Sequence, residues 1–174
     1  ALELVELAER RGLILMVGHL LMYHPAIDLI KRFVDIGELG QVRYLYTRRL
    51  NLGRVRHQES ALWCLAPHDI SLLCYLVDSE PVEVSASGGA YLQPGVEHVA
   101  FATVRFQNGV LGNMHVSWLD PTKTRSLTVV GSRKMMVFDD MVATQKVLLF
   151  DKGAEGVGTD TFALRSGETT APKL

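Results

Sequence analysis

The sequence predicts an α+β fold, an open, mainly antiparallel or mixed β-sheet with helices on one face. Three observations carry that expectation. Apolar residues recur with helical spacing as far as Val77, they alternate in short β-branched runs past Pro81, and Asn108-Gly109 between two of those runs is a strong hairpin signal. At 174 residues, 48% hydrophobic and 21% charged, the chain holds enough apolar content for one sizeable core. Eighteen Lys and Arg against nineteen Asp and Glu leave no electrostatic footprint for nucleic acid or an acidic membrane surface.

Leu2, Leu4, Val5, Leu7 and Ala8 repeat with helical spacing, Glu3, Glu6 and Glu9 face out, and Arg10-Arg11-Gly12 forms a C-terminal stop. Residues 13–17 are a continuous apolar run, the pattern of a short strand buried on both faces, which needs partner strands that these 174 residues do not supply. The apolar stretch 13–22 is cut by Gly18 and His19, falls far short of a membrane span and lacks the form of a signal peptide. Pro25 suits a first helical turn, and Ile27, Ile30, Phe33 and Val34 with Lys31, Arg32 and Asp35 outside give an amphipathic helix closed by Gly37. Residues 42–52 alternate Val42, Tyr44 and Tyr46 against Arg43, Thr47 and Arg49, a half-exposed strand in which Arg48 shares the tyrosine face.

Residues 51–60 form a polar loop, and the helical segment 61–77 is one that Pro67 is expected to interrupt or kink. Strands are expected at 82–86, 98–106, 110–119, 126–130 and 134–138, with one more at 146–150. Residues 151–174 are rich in Gly, Thr and Ser and read as a loop. Cys64 and Cys74 face different sides of one helix, so no mutual disulfide is expected and a reducing compartment, the cytoplasm, is the expected location.

Polar and titratable groups interrupt the apolar helical run at Trp63-Cys64-Leu65-Ala66-Pro67-His68-Asp69-Ile70-Ser71. Cys64 and His68 are four residues apart and share a helical face, but two ligands do not make a metal site, so no metal is expected. His68 alone fits a hydrogen-bonded core histidine. With Pro67 before it, Asp69 after it and Arg54 and Arg56 upstream, it also fits an imidazole titrating near neutral pH in a polar pocket. Asp69 suits an N-cap for a helix over 70–77. His19, His24, His57, His98 and His115 are scattered without ligand spacing, Gly153-x-x-Gly156-x-Gly158 reverses a dinucleotide fingerprint, and Ser60 and Ser117 lack an adjacent base.

Together with that nine-residue run, Arg49-Leu50-Asn51-Leu52-Gly53, Val17-Gly18-His19, Tyr23-His24-Pro25, Val116-Ser117-Trp118-Leu119-Asp120-Pro121, Arg125 and Val130-Gly131-Ser132 resemble the Gfo/Idh/MocA family, the relatives of glucose-fructose oxidoreductase and inositol dehydrogenase. The likeness runs in order over about residues 1–150 and is nearest to the nucleotide-sugar branch, whose members oxidise the 3-hydroxyl of a UDP-linked N-acetylated sugar or its uronic acid. The resemblance implies a two-domain enzyme with a Rossmann domain holding NAD or NADP and a C-terminal α+β domain that lines the substrate site and mediates oligomerisation. Residues 1–18 would then be the last helix and strand of the first domain, 19–150 the substrate domain, and 151–174 a truncated continuation.

By the same resemblance His68 falls on the family's active-site histidine, a proton acceptor during hydride transfer. Gly18 and His19 fall at the domain junction near the nicotinamide, and Arg48, Asn51 and Arg54 fall where sugar or diphosphate contacts are expected. Four residues before the histidine, relatives commonly carry an aspartate. Cys64 stands there in this chain and cannot accept hydrogen bonds as a carboxylate does. The glycine-rich phosphate loop and the Glu-Lys-Pro segment bearing the family's catalytic lysine have no counterpart, so the 174 residues alone are expected to hold no nicotinamide and to be inactive. A non-catalytic binding or oligomerisation module on the same sheet is the alternative function.

Overall fold

The computed structural model describes residues 1–156 and 162–172. Its helices are α1 (Leu2–Arg11), α2 (Pro25–Asp35) and α3 (Ala61–Val77), with a 3-10 turn at Leu20–Tyr23 ahead of α2. The strands are β1 (Val42–Leu50), β2 (Pro81–Gly89), β3 (Val99–Phe106), β4 (Leu111–Ser117), β5 (Thr124–Gly131), β6 (Met135–Asp139), β7 (Val147–Phe150), β8 (Gly153–Gly156), β9 (Phe162–Arg165) and β10 (Thr169–Thr170). Eight of them form one mixed sheet in the order β10-β7-β6-β5-β1-β4-β3-β2, while β8 and β9 pair as a separate ribbon. Only β1 and β4 run parallel, with Tyr44 opposite Leu111, and every other described pairing is antiparallel.

Each element follows from local chemistry. His24 caps α2, its Nδ1 accepting from the Ala26 N–H at 3.1 Å, and Pro25 takes the first helical position, where no N–H is needed. Ser60 caps α3, its hydroxyl accepting from the Trp63 N–H at 3.2 Å. The turn between β3 and β4 uses Asn108-Gly109 as the sequence predicts: Gly109 adopts φ +84°, and Phe106 and Val110 close the hairpin around a three-residue loop. Pro81, which has no N–H to donate, opens the edge strand β2.

The core lies between one face of the sheet and the helices α2 and α3. Ile27 and Ile30 of α2 and Leu72, Leu73 and Leu76 of α3 meet Leu45, Val104, Met114, Val116, Leu127, Met136 and Phe138 from the strands. Helix and sheet approach closely where side chains are smallest: a Cβ on Gly112 would sit 2.9 Å from a Leu73 methyl. Gly131 is tighter, since a Cβ there would lie 2.1 Å from the Leu39 carbonyl oxygen, a backbone atom that cannot step aside. Gly131→Ala is therefore expected to cost about 1–3 kcal/mol through forced backbone movement, measured as a lower urea midpoint with an unchanged slope.

Four expectations are corrected. Residues 13–17 form no strand: the run is unpaired and exposed, with Ile14 97% accessible, because no neighbouring strand is present to receive its hydrogen bonds. Pro67 does not end the helix, since α3 runs unbroken from residue 61 to 77. The proline removes one hydrogen bond on the exposed side, while Ala66, Asp69, Leu72 and Leu73 hold the other side in the core. Asp69 accordingly caps nothing and lies mid-helix, buried. The segment 151–174 is not simply a loop, because β8 and β9 pair and β10 joins the sheet edge against β7. Gly158 lies outside the described residues.

The other face of the sheet carries no helix. Tyr44, Tyr46 and Arg48 of β1 point to it with Phe101 and His115, whose rings stack at 4.2 Å. The tyrosine side of β1 is thus its exposed side, and Leu45, Thr47 and Arg49 face the helices. Helix α1 buries none of its residues and leaves Leu2, Leu4, Val5 and Leu7 accessible.

Candidate functional site

His68 sits midway along α3, half-buried, with the ring of His19 edge-on to it at 6.5 Å between centroids. His19 comes from the segment that turns into the 3-10 helix, so two imidazoles distant in sequence meet at one end of the sheet. The Ser71 hydroxyl donates to the His68 carbonyl at 2.8 Å, within the turn that carries the ring. Beneath them Arg49 of β1 grips Asp69 bidentately, with Nε to Oδ2 at 3.0 Å and Nη2 to Oδ1 at 2.8 Å. Asp69 is 2% exposed and is the one acidic residue among the buried side chains of the described chain.

The electrostatics follow from that packing. Burial, then the Arg49 guanidinium, His19 and Arg125, hold the His68 imidazole below its ordinary range, with the Asp69 carboxylate opposing them. These influences favour the neutral ring, the form that can accept a proton. Burial pushes the Asp69 carboxyl up, against the pull of Arg49 bonded to it. Arg125 lies opposite Arg49 in the β1–β5 register and leans toward Asp140 at 3.9 Å, while Lys146 bonds Asp140 at 2.9 Å.

The residues singled out from sequence are only partly brought together. His19 and His68 meet, and Cys64 lies one helical turn before His68, half-buried against the core as a free thiol. Gly18 is exposed with nothing near its Cα to crowd a side chain. Arg48 is turned to the open face of the sheet, away from α3. Asn51 and Arg54 lie exposed on the loop leading into α3. Asn51 is anchored through its N–H to the Ser117 carbonyl, and Arg54 lines a polar hollow of about 350 Å³ with Arg56, His57, Gln58 and Glu59. That loop is tied down by a reciprocal pair of hydrogen bonds between His57 and Gln93.

Arg49 is the site residue that pattern reading passed over. The alternation over residues 42–52 leaves open which face is inner, whereas the Leu45-x-Thr47-x-Arg49 side lies under the helices, where an arginine needs an acidic partner. A cavity of about 510 Å³ forms an apolar groove between α3 and the β2–β3 edge, walled by His19, Trp63, Ile70, Val84 and Phe106 among others. His68 is not in its wall, and its lining offers a sugar hydroxyl almost no hydrogen-bond partner.

Among the described residues no three His, Cys, Asp or Glu side chains converge as metal ligands. Among the described residues α2 and α3 follow the caps His24 and Ser60 without a glycine-rich turn that could cradle a pyrophosphate. No helix among the described residues is long and apolar enough to cross a membrane.

Sheet order and helix placement define a fold class, that of the C-terminal domain of the Gfo/Idh/MocA oxidoreductases. The solved UDP-N-acetylglucosamine 3-dehydrogenase of Acidithiobacillus ferrooxidans aligns with a TM-score of 0.71 at 24% identity over 98% of this chain and 53% of that one. The WlbA dehydrogenase of Bordetella pertussis, solved with NADH and UDP-GlcNAcA, aligns with a TM-score of 0.69 at 19% identity over 82% of this chain and 47% of that one.

The family model of the GFO/IDH/MocA C-terminal domain matches residues 27–137, and the chain belongs to that family of oxidoreductases. In sequence it is 31% identical over 115 residues to the A. ferrooxidans UDP-N-acetylglucosamine 3-dehydrogenase, covering 66% of this chain and 35% of that enzyme. It is 25% identical over 126 residues to the scyllo-inositol 2-dehydrogenase (NAD(+)) of Bacillus subtilis, covering 67% of this chain and 37% of that enzyme. The chain thus spans little more than a third of the length of these curated relatives.

Proposed function

We propose that this chain is the substrate-side domain of an NAD(P)-dependent dehydrogenase that oxidises a CH–OH group of a sugar, its substrate being a UDP-linked N-acetylated sugar or the corresponding uronic acid. The observation that carries the reading is the His68 imidazole set beside a buried Arg49–Asp69 pair where His19 converges on it. Similarity to a UDP-N-acetylglucosamine dehydrogenase and to an inositol dehydrogenase supports the substrate class.

In this reading a nicotinamide held outside the described residues would supply the two-electron oxidising power. His68 takes the hydroxyl proton, which avoids leaving positive charge on the carbon as hydride departs. Gly18 and His19 lie at the junction with the cofactor-holding domain, and the exposed apolar faces of α1 and residues 13–17 are surfaces that domain would cover. Asn51 and Arg54 on the loop before α3 are the proposed contacts to sugar and diphosphate, Cys64 replaces a supporting carboxylate, and Arg48 on the open face is the weakest of the proposed contacts. The free thiols of Cys64 and Cys74 support a reducing, cytoplasmic setting.

The test is to express the complete reading frame and follow NADH or NADPH formation with UDP-N-acetylglucosamine, its uronic acid and myo-inositol. Turnover of a UDP-sugar supports the proposal, and reduction with the inositol alone overturns the nucleotide-sugar assignment.

A second reading, a non-catalytic oligomerisation module, is favoured by the aromatic open face. Tyr44, Tyr46 and Phe101 are accessible there beside Arg48, so a self-complementary contact would bury aromatic surface with an arginine among it. The two readings share one expectation: Tyr46→Glu with Phe101→Glu should convert an oligomer to monomer in light scattering. They part on whether the parent protein turns over a sugar.

A further inference from the structure

We infer that the Arg49–Asp69 ion pair is the positioning element of His68, clamping the turn of α3 that carries the imidazole onto the central strand of the sheet. The inference rests on His68 being the proton acceptor and assigns two residues that act through it. Arg49 leaves β1 on the helix side and meets Asp69 through both oxygens, at 3.0 and 2.8 Å, with the two side chains 13% and 3% exposed. A planar guanidinium held at two points fixes orientation as well as distance. Asp69 follows His68 directly, and neighbouring helical residues point about 100° apart. With Asp69 pinned down against β1, the rotation of the helix is set and His68 is turned toward His19.

The charged neighbours of the imidazole are Arg49 from β1, Arg125 from β5, His19 from the segment before α2, and Asp69 from its own helix. The cations outnumber the anion, so the pair also decides how readily the ring takes a proton. A buried ion pair is a weak source of stability, and an apolar pair of equal volume would hold the helix at least as well. What the charged pair adds is fixed geometry and a balanced field at the next residue.

Two variants separate these contributions from simple packing in NMR spectra of the 174-residue chain, with His68 assigned through His68→Gln. Asp69→Asn keeps an oxygen acceptor for Arg49 but removes the negative charge. The His68 midpoint is expected to move down while the cross-relaxation between the His68 and His19 rings survives. Arg49→Lys keeps the charge but loses the two-point grip, and that ring-to-ring cross-relaxation is expected to vanish.

A strut that only supports the fold behaves differently, because loosening it lets water reach His68 and moves the midpoint up in Asp69→Asn. An upward or absent movement there, or an undiminished ring contact in Arg49→Lys, overturns the inference. These readouts do not depend on turnover. If His68→Gln leaves the complete enzyme active, the proton-acceptor reading fails on its own, whatever the two titrations show.

Discussion

Replacing His68 by Gln in the complete enzyme is expected to lower kcat by about a hundredfold or more, with a much smaller effect on KM. Glutamine is close in size and can still hydrogen-bond a hydroxyl, but it has no lone pair basic enough to take the proton. The loss therefore isolates proton transfer from binding. The pH profile supplies a second reading of the same group. Because burial and its cationic neighbours hold the His68 imidazole below its ordinary range, the neutral, competent form persists to lower pH than for a solvent-exposed histidine. The acid limb of kcat/KM is expected to fall at a midpoint below the usual imidazole value and to disappear in His68→Gln. Steady-state kinetics across pH check both statements, and an unchanged kcat would make His68 a packing residue.

Arg49→Met is expected to destabilise the fold by about 3–5 kcal/mol, because it strands the Asp69 carboxylate in the core without its partner. Asp69 is 2% exposed, so water cannot take over the lost bonds without opening the helix–sheet seam. The double variant Arg49→Met with Asp69→Leu is expected to recover most of that loss, since two apolar side chains can fill the same space. Urea unfolding followed by far-UV circular dichroism measures both. Equal losses in single and double variants would place the energy in packing around Leu45 and Leu72 instead. Set beside His68→Gln, which should melt near the parent, this separates the group that works from the pair that supports it.

Most of the sheet was legible in the sequence because β2 to β6 are β-branched or alternating runs, with β3 and β6 alternating throughout, and Asn108-Gly109 fixes one register. Helix α2 was legible from Pro25 and its apolar stripe. Local rules misled where tertiary context decides. An apolar run at 13–17 has strand composition, but strands exist only in pairs, and this run has no neighbour to pair with.

Pro67 reads as a breaker, but the loss of one exposed hydrogen bond is outweighed by a helix face packed into the core. Alternation in β1 marks two faces without saying which is inner, because two tyrosines and an arginine oppose a leucine, a threonine and an arginine. Arg49 could therefore not be placed beside Asp69 from pattern, nor could Asp69 be placed mid-helix rather than at a cap. His68 itself is marked by family likeness, whereas its meeting with His19 depends on how the segment before α2 folds back onto α3.

The place of β1 in the sheet carries a consequence for how the chain is made. Tyr44 must wait for Leu111 on one side and Val130 on the other, so this inner strand is synthesised well before either of its partner strands. Such high contact order slows folding and leaves a bare, aromatic ribbon during vectorial synthesis, a natural client for holdase chaperones. The same delay means that Arg49 reaches Asp69 in its final setting only when the last neighbours of the strand have closed around it, so a nascent chain stalled short of β5 would carry the histidine without its foundation.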